Sequence, residues 1–224
     1  MSARRDGAVV ELLGAPGAGK SGLADALAVL DGVTVVKDHS RGDLSALAWS
    51  MAKSWPVAVA PPPDVDRRRW ASWAARVTAA RHVARHRIAQ GARMVVFDQG
   101  AAYTLVRMMQ MRQRPHGGAW WTQRCVETAG LLDLLVILDA DTDTLAERVR
   151  GRRKRHHADD LDTESLHAYL DDERRSVHRV ADSLTREGAE VLRLVTSDTS
   201  IEEQVTLVLE ALDAHARHTA DSAG

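Results

Sequence analysis

The stretch AVVELLGAPGAGKSG, residues 8–22, decides the fold of this chain. In it an apolar run of strand length leads into the spacing G-x-x-x-x-G-K-[ST], and a segment of helical period follows. Glycines let the main chain curl into a nest of N–H groups around phosphate oxygens, and the N-terminus of the next helix adds its positive dipole end. The stretch therefore predicts a phosphate-binding loop between a first strand and a first helix.

The residues of this loop have distinct expected roles. Lys20 should reach the β- and γ-phosphates of a nucleoside triphosphate, and the Ser21 hydroxyl should bind Mg²⁺. The expected nucleotide is ATP, with GTP as the alternative. The predicted nucleotide-binding residues are Gly14, Ala15, Pro16, Gly17, Ala18, Gly19, Lys20, Ser21 and Gly22.

Short apolar runs alternate with longer segments of helical period along the rest of the chain. The runs cover residues 9–13, 33–36, 94–97, 134–138 and 191–195. Strands that are buried on both faces have this pattern, and their alternation with helices is typical of βαβ units. We therefore predict an α/β fold with a parallel sheet, as one domain over residues 1–217 with a flexible C-terminal tail over residues 218–224.

Composition narrows the class of protein and of partner. The 224 residues are 45% hydrophobic and 27% charged, which allows one sizeable core. With 30 Lys+Arg against 31 Asp+Glu, the formal net charge of -1 gives no global attraction for nucleic acid or for an anionic membrane. Cys125 is the single cysteine, so an internal disulfide is excluded and a reducing compartment is favoured. No stretch approaches about 18 uncharged apolar residues, and we expect a cytoplasmic protein.

Through its phosphate-binding loop and the positions of its strands, the chain resembles the P-loop kinases of the nucleoside- and nucleotide-kinase type. Thymidylate kinase is the nearest general pattern. The resemblance runs from residue 9 to about residue 212, and the phosphate-binding loop is its specific part. It implies a three-layer fold in which a five-stranded parallel sheet of order 2-3-1-4-5 has helices on both faces. It also implies a short lid over about residues 150–164 and an acceptor that lies over the carboxyl ends of the strands.

The resemblance also points to two acidic residues. Asp38 follows the second strand, where a carboxylate could orient an acceptor hydroxyl and take its proton, although this polar loop could equally only cap the next helix. Asp98 ends the third strand in VVFDQG, where similar kinases place an acid that contacts the metal's water shell or the acceptor hydroxyl. Ser21 and Asp98 are therefore the predicted metal-site residues. Gln99 stands where thymidylate kinases have an arginine for the acceptor's monophosphate, which favours a neutral hydroxyl as acceptor.

A basic cluster, RVRGRRKR, follows the fourth strand at residues 148–155. It resembles the kinase lid, whose arginines close over the phosphates and offset the charge of the transferring group. Arg148 and Arg152 are the predicted catalytic arginines, because residues four apart share a face of a continuing helix. The alternatives are a solvated basic loop that pairs with the acidic segment after it, and a nucleic-acid contact.

These observations lead to one main function and two alternatives. The main one is transfer of the γ-phosphoryl group of ATP to a hydroxyl of a small molecule, such as a nucleoside, a sugar or an antibiotic-like metabolite. The first alternative is a regulatory NTPase with a macromolecular partner, a class that usually places Glu directly after the strand-end Asp, where this chain has Gln99. The second is a kinase of a polynucleotide or tRNA end. The sequence leaves the oligomeric state open, a homodimer included.

Overall fold

Five parallel strands form the centre of the fold. The computed structural model describes residues 7–37, 67–110, 118–152 and 157–221. The strands are β1 (Ala8–Leu13), β2 (Val33–Val36), β3 (Met94–Phe97), β4 (Leu134–Asp139) and β5 (Val191–Val195). Their order in the sheet is β2-β3-β1-β4-β5, and every neighbouring pair is parallel. The predicted fold class and strand order are confirmed.

Helices connect these strands and cover the sheet. In the described residues they are α1 (Lys20–Leu27), α2 (Arg67–Ala89), α3 (Ala101–Met109), α4 (Ala119–Ala129), α5 (Thr142–Gly151), α6 (Thr163–Arg186) and α7 (Ile201–Asp221), with a 3₁₀ helix at His157–Asp160. None of these helices is both long enough and apolar enough to cross a lipid bilayer.

The last helix is longer than the sequence analysis predicted. Residues 218–221, which we assigned to a flexible tail, belong to α7, which ends at Asp221. The physical reason is that no glycine or proline interrupts the chain between Ile201 and Asp221, so nothing in the local sequence ends the helix earlier.

The core is divided between the two faces of the sheet because successive strand side chains point in opposite directions. Even-numbered residues of β1, β3 and β4 pack with α1, α5 and α7, and odd-numbered ones pack with α2, α3 and α4. Helix α6 contributes to both sides, with Leu170 in one core and Val177 in the other. The part of α6 between Leu170 and Val177 therefore passes from one layer to the other.

All five strands run in the same direction, so their carboxyl ends lie at one edge of the sheet, which we call the carboxyl edge. The loop after β1, Asp98 after β3 and Thr196 after β5 all lie there. At this edge the main-chain N–H of Thr196 donates a hydrogen bond of 2.8 Å to the carbonyl oxygen of Asp139, which joins the ends of β4 and β5. This is the edge at which open α/β sheets hold their ligands.

Candidate active site

The loop between β1 and α1 has the backbone of a phosphate-binding loop. Gly17 and Gly19 have φ of +86° and +91°, in the left-handed region that glycine adopts without penalty. A Cβ on Gly17 would lie 2.7 Å from the carbonyl oxygen of Leu145 on α5. Both positions therefore favour glycine for the curl of the loop, and Gly17 requires it also for the close approach to α5.

Gly17→Ala should weaken nucleotide binding by at least about a hundredfold, because the new methyl group meets a backbone carbonyl and strains a left-handed residue. Titration calorimetry with a nonhydrolysable ATP analogue measures the change. The matched control is Gly118→Ala, because Gly118 has negative φ and nothing lies within 4 Å of its added Cβ. Equal affinities of the two variants would contradict the geometry described for the loop.

Lys20, the first residue of α1, lies against the main chain of the loop. Its ammonium Nζ donates hydrogen bonds to the carbonyl oxygens of Gly14 at 2.7 Å and Ala15 at 2.9 Å. Burial lowers the pKa of Lys20 to about 8. The side chain is thus held inside the loop by two uncharged carbonyl acceptors, which the anionic oxygens of a phosphate group could replace.

Three charged side chains act on Lys20 from other elements. After burial, the largest influences on its pKa are the carboxylates of Asp98 and Glu173, which raise it, and the guanidinium of Arg152, which lowers it. These groups come from the end of β3, from α6 and from the residue after α5. The carboxyl edge therefore gathers charges of both signs around the loop.

Ser21 and Asp98, the two predicted metal-site residues, lie close together at the carboxyl edge. The Ser21 hydroxyl donates a hydrogen bond of 3.4 Å to Oδ2 of Asp98. Asp98 is buried, and β3, which it follows, lies directly beside β1. A hydroxyl and a carboxylate are the hard oxygen ligands that Mg²⁺ prefers, so this pair fits a magnesium site.

Arg148 joins the phosphate-binding loop to the turn after β5. From α5 its Nη1 and Nη2 donate to the hydroxyl and the carbonyl oxygen of Thr196, at 2.8 and 3.0 Å. Nη1 also lies 3.5 Å from the carbonyl oxygen of Gly17. The planar guanidinium is therefore held beside the loop, where it can face phosphate oxygens.

The reasoning that paired Arg152 with Arg148 is wrong in its geometry. Helix α5 ends at Gly151, and Arg152 has extended backbone with ψ of 147°, so the two arginines do not share a helix face. Glycine is a poor helix former, and the helix does not continue past it. The charge of Arg152 nevertheless acts on Lys20.

Other predicted site residues lie outside the described residues. This holds for Asp38 and for residues 153–156 of the predicted lid. The lid coincides with the connection between α5 and α6, and its closure over the phosphates stays a prediction.

A family model described as an AAA domain matches residues 9–175 of the chain. The chain belongs to this family. No curated protein sequence matches it.

Solved structures place this AAA domain among proteins with the nucleoside-kinase type of P-loop fold. Deoxyadenosine kinase from M. mycoides with bound dATP matches with a TM-score of 0.54 at 13% identity, over 92% of this chain and 99% of that one. Its complex with dCTP gives 0.54 at 12% identity over the same shares, and its structure with the products dCMP and a flexible dCDP gives 0.54 at 13%. At such identities the likeness shows the fold.

Glu11 is a buried carboxylate of the AAA domain, next to the candidate site, that the sequence analysis missed. It lies in the middle of β1 with no exposed surface. Its Oε1 accepts hydrogen bonds from the main-chain N–H groups of Gly100 and Tyr103, and its Oε2 accepts one from Ala102, at 2.8 to 3.0 Å. Glu11 thus caps the N-terminus of α3, the helix that follows Asp98. A single charged residue within an apolar strand was the available signal.

Glu11 should give the unfolding free energy a distinctive pH dependence. Burial raises its pKa from 4.5 to about 7, although the three N–H donors lower it in part. The folded state therefore holds this proton more tightly than the unfolded state, and the stabilisation is complete below about pH 4.5 and is lost as the pH rises through about 7. The loss amounts to about 3 kcal/mol.

Urea unfolding of Glu11→Gln and wild type between pH 5 and 7.5 measures this dependence. The difference in unfolding free energy between the two proteins should change with pH. The control Glu210→Gln, on an exposed part of α7, should differ from wild type by the same amount at every pH. If the difference in unfolding free energy between Glu11→Gln and wild type were as independent of pH as that of the control, the raised pKa assigned to Glu11 would be wrong.

A second group that the sequence analysis missed links α3 to α6. Nη1 of Arg107 lies 2.7 Å from Oε1 of Glu173, and Glu173 is buried. Glu173 stands on the inner stripe of α6 with Leu170 and Val177, so a charge in an apolar helical period was the available signal.

Proposed function

We propose that this AAA domain is an ATP-dependent phosphotransferase that moves the γ-phosphoryl group to a hydroxyl of a small molecule. The observation that carries the proposal is the convergence of Lys20, Ser21 and Asp98 at the carboxyl edge. The fold shared with a deoxyadenosine kinase supports it. Nucleosides, sugars and antibiotic-like metabolites are the acceptor classes considered.

The phosphate-binding loop would hold the triphosphate before any chemistry takes place. Main-chain N–H groups of the loop donate to phosphate oxygens, and Lys20 exchanges the carbonyls of Gly14 and Ala15 for the β- and γ-phosphates. The negative charge of the nucleotide favours the protonated lysine. Ser21 and Asp98 would hold Mg²⁺, which when bound offsets phosphate charge and polarises the phosphoryl oxygens.

Two arginines would stabilise the charge of the transferring group. Arg148 is already held beside Gly17, and Arg152 lies within the electrostatic reach of Lys20. Either Asp98 or Asp38 would orient the acceptor hydroxyl and take its proton. Transfer then depends on positioning and on charge, as is general for phosphoryl transfer.

The test is ADP release with ATP and Mg²⁺ over a broad panel of hydroxyl compounds. At least one acceptor should raise the rate about tenfold or more over the acceptor-free rate, and the product should carry one new phosphate by mass. A rate that no acceptor increases would instead favour the regulatory NTPase. A rate that only polynucleotide or tRNA ends increase would favour the kinase of such ends.

A cytoplasmic location of the protein stays a prediction.

A further inference from the structure

Arg148 is held by two oxygen atoms of a single residue. From α5 its Nη1 donates to the hydroxyl oxygen of Thr196 at 2.8 Å, and its Nη2 donates to the carbonyl oxygen of Thr196 at 3.0 Å. Nη1 also donates a longer hydrogen bond, of 3.5 Å, to the carbonyl oxygen of Gly17. The two bonds to Thr196 hold the planar guanidinium both in place and in orientation, because a rotation that keeps one of them breaks the other.

Thr196 is itself fixed to the end of β4. It is buried, and its main-chain N–H donates to the carbonyl oxygen of Asp139 at 2.8 Å. Its hydroxyl donates to the same oxygen at 3.2 Å. A hydroxyl has a single proton, so this one points to Asp139 and the oxygen accepts from Arg148. The threonine therefore supports Arg148 in one defined orientation.

The support of Arg148 belongs to the packed body of the protein. The carboxylate of Asp139 accepts two hydrogen bonds from Arg174 on α6, at 2.8 and 3.1 Å. On α5, Val149 beside Arg148 is fully buried. Arg148 also precedes the predicted lid, which covers about residues 150–164. Its position is therefore set by elements other than the lid.

One edge of the Arg148 guanidinium remains for a ligand. A guanidinium carries five N–H donors, and the contacts with Thr196 and Gly17 use three of them. Within the part of the chain that the structure describes, no residue accepts from the other two, which lie on Nε and Nη2 along the same edge. Arg174 binds both carboxylate oxygens of Asp139 through this same Nε–Nη2 edge. Two neighbouring oxygens of a phosphate group match such an edge equally well.

The chemistry of phosphoryl transfer gives this edge a use. Negative charge on the transferring group is stabilised best by donors that are already in place, since they need no rearrangement during the reaction. Arg148 meets this condition in the protein alone, and it lies beside Gly17 of the phosphate-binding loop. The hydroxyl of Thr196 is the part of its support that a substitution can remove without a change in the main chain.

We propose that Thr196 is a positioning residue for Arg148. Its hydroxyl and carbonyl oxygens orient the guanidinium, so that the Nε–Nη2 edge binds the phosphoryl group during transfer. Arg148 then acts as a fixed arginine of the site, whereas Arg152 belongs to the predicted lid. The inference rests on the proposed function, because it assigns a role in the same phosphoryl transfer.

The experiment compares two probes on the whole chain. Titration calorimetry measures the affinity for ADP with Mg²⁺, first alone and then with aluminium fluoride, an anion that resembles the phosphoryl group in transfer. Wild type should bind ADP at least about a hundredfold more tightly when aluminium fluoride is present. The values of kcat and KM for ATP are measured by ADP release with the acceptor panel.

Thr196→Val removes the hydroxyl and retains the branched shape and the carbonyl. It should change the affinity for ADP alone by less than about threefold and lower the gain from aluminium fluoride about tenfold. In turnover, kcat should fall about tenfold while KM for ATP stays nearly constant. Thr196→Ser keeps a hydroxyl and should retain most of the wild-type gain and kcat.

Thr206→Val is the matched control. The Thr206 hydroxyl donates a hydrogen bond of 3.0 Å to the carbonyl oxygen of Glu202 on the exposed side of α7, so the same chemical change is made away from the site. This control should retain the wild-type gain and the wild-type kcat. Thr196→Ala serves if Thr196→Val does not fold, since it removes the same hydroxyl.

A double-variant cycle separates positioning from a structural role. In a chain that carries Arg148→Ala, the further change Thr196→Val should have little effect on the gain from aluminium fluoride, because the arginine that Thr196 orients is absent. A structural role would weaken binding in both backgrounds alike.

Three results would overturn the proposal. They are a Thr196→Val profile equal to that of Thr206→Val, an undiminished effect of Thr196→Val in the Arg148→Ala chain, and a wild type that gains no affinity from aluminium fluoride. The expected differences in calorimetry, without any acceptor that raises ADP release, would support the role of Thr196 and contradict the proposed phosphotransfer alone.

Discussion

Lys20→Ala should lower kcat for ADP formation by at least about a hundredfold and leave the far-UV circular dichroism spectrum unchanged. The expected loss follows from geometry, because Nζ of Lys20 is the cation held within the phosphate-binding loop by Gly14 and Ala15. The methyl group of alanine carries no charge, so it cannot neutralise the negative charge that builds up on the β- and γ-phosphates during transfer.

The matched control for this variant removes a cation from the opposite edge of the sheet. Arg93 lies before β3, and its side chain is 77% exposed, so Arg93→Ala should retain wild-type activity. Full activity of Lys20→Ala, or an equal loss in both variants, would show that the phosphate assignment is wrong.

The pKa of Lys20 adds a dependence on pH to the same prediction. Because burial places it at about 8, the nucleotide-free protein loses this charge as the pH rises through 8. The affinity for the ATP analogue should therefore be highest below pH 8 and fall above it. In Lys20→Ala the affinity should be low and should not change with pH over that range.

Asp98→Asn is expected to have the second large effect. It should lower kcat by at least about a hundredfold and raise the Mg²⁺ concentration needed for half-maximal activity, because an amide at this position replaces the anionic oxygen beside the Ser21 hydroxyl. The fold should survive, since the amide has the shape of the carboxylate and avoids a buried charge. A titration of activity with Mg²⁺ measures both changes.

The control for Asp98→Asn is the same change at Asp31. The Asp31 side chain is 99% exposed at the far edge of the sheet, and Asp31→Asn should give the wild-type titration. If Asp98→Asn gave that titration too, the metal site would lie elsewhere.

The sheet and the phosphate-binding loop could be predicted because their information is local. The runs at 33–36, 94–97 and 191–195 coincide with β2, β3 and β5. Each is apolar, of strand length and bounded by residues that end strands, so a few neighbours determine the structure. The loop depends likewise on glycines at fixed spacing, and Asp98 on its place directly after β3.

The ion pair of Arg107 and Glu173 and the cap that Glu11 forms on α3 could not be predicted in the same way, because the partners are distant in sequence. Arg107 and Glu173 are 66 residues apart, and only the packing of α3 against α6 brings them together. Glu11 reaches the start of α3 across 89 to 92 residues. Glu11 and Glu173 can each be recognised in the sequence as a charged residue within an apolar pattern. The pattern does not predict which residue each of them contacts.

The most direct test of the account is a crystal structure of the protein with Mg²⁺ and a nonhydrolysable ATP analogue. The account predicts phosphate oxygens within hydrogen-bond distance of the main-chain N–H groups of residues 17–21, with Nζ of Lys20 moved from the carbonyls of Gly14 and Ala15 to the β- and γ-phosphates. A triphosphate bound elsewhere, with Lys20 still on those two carbonyls, would contradict it.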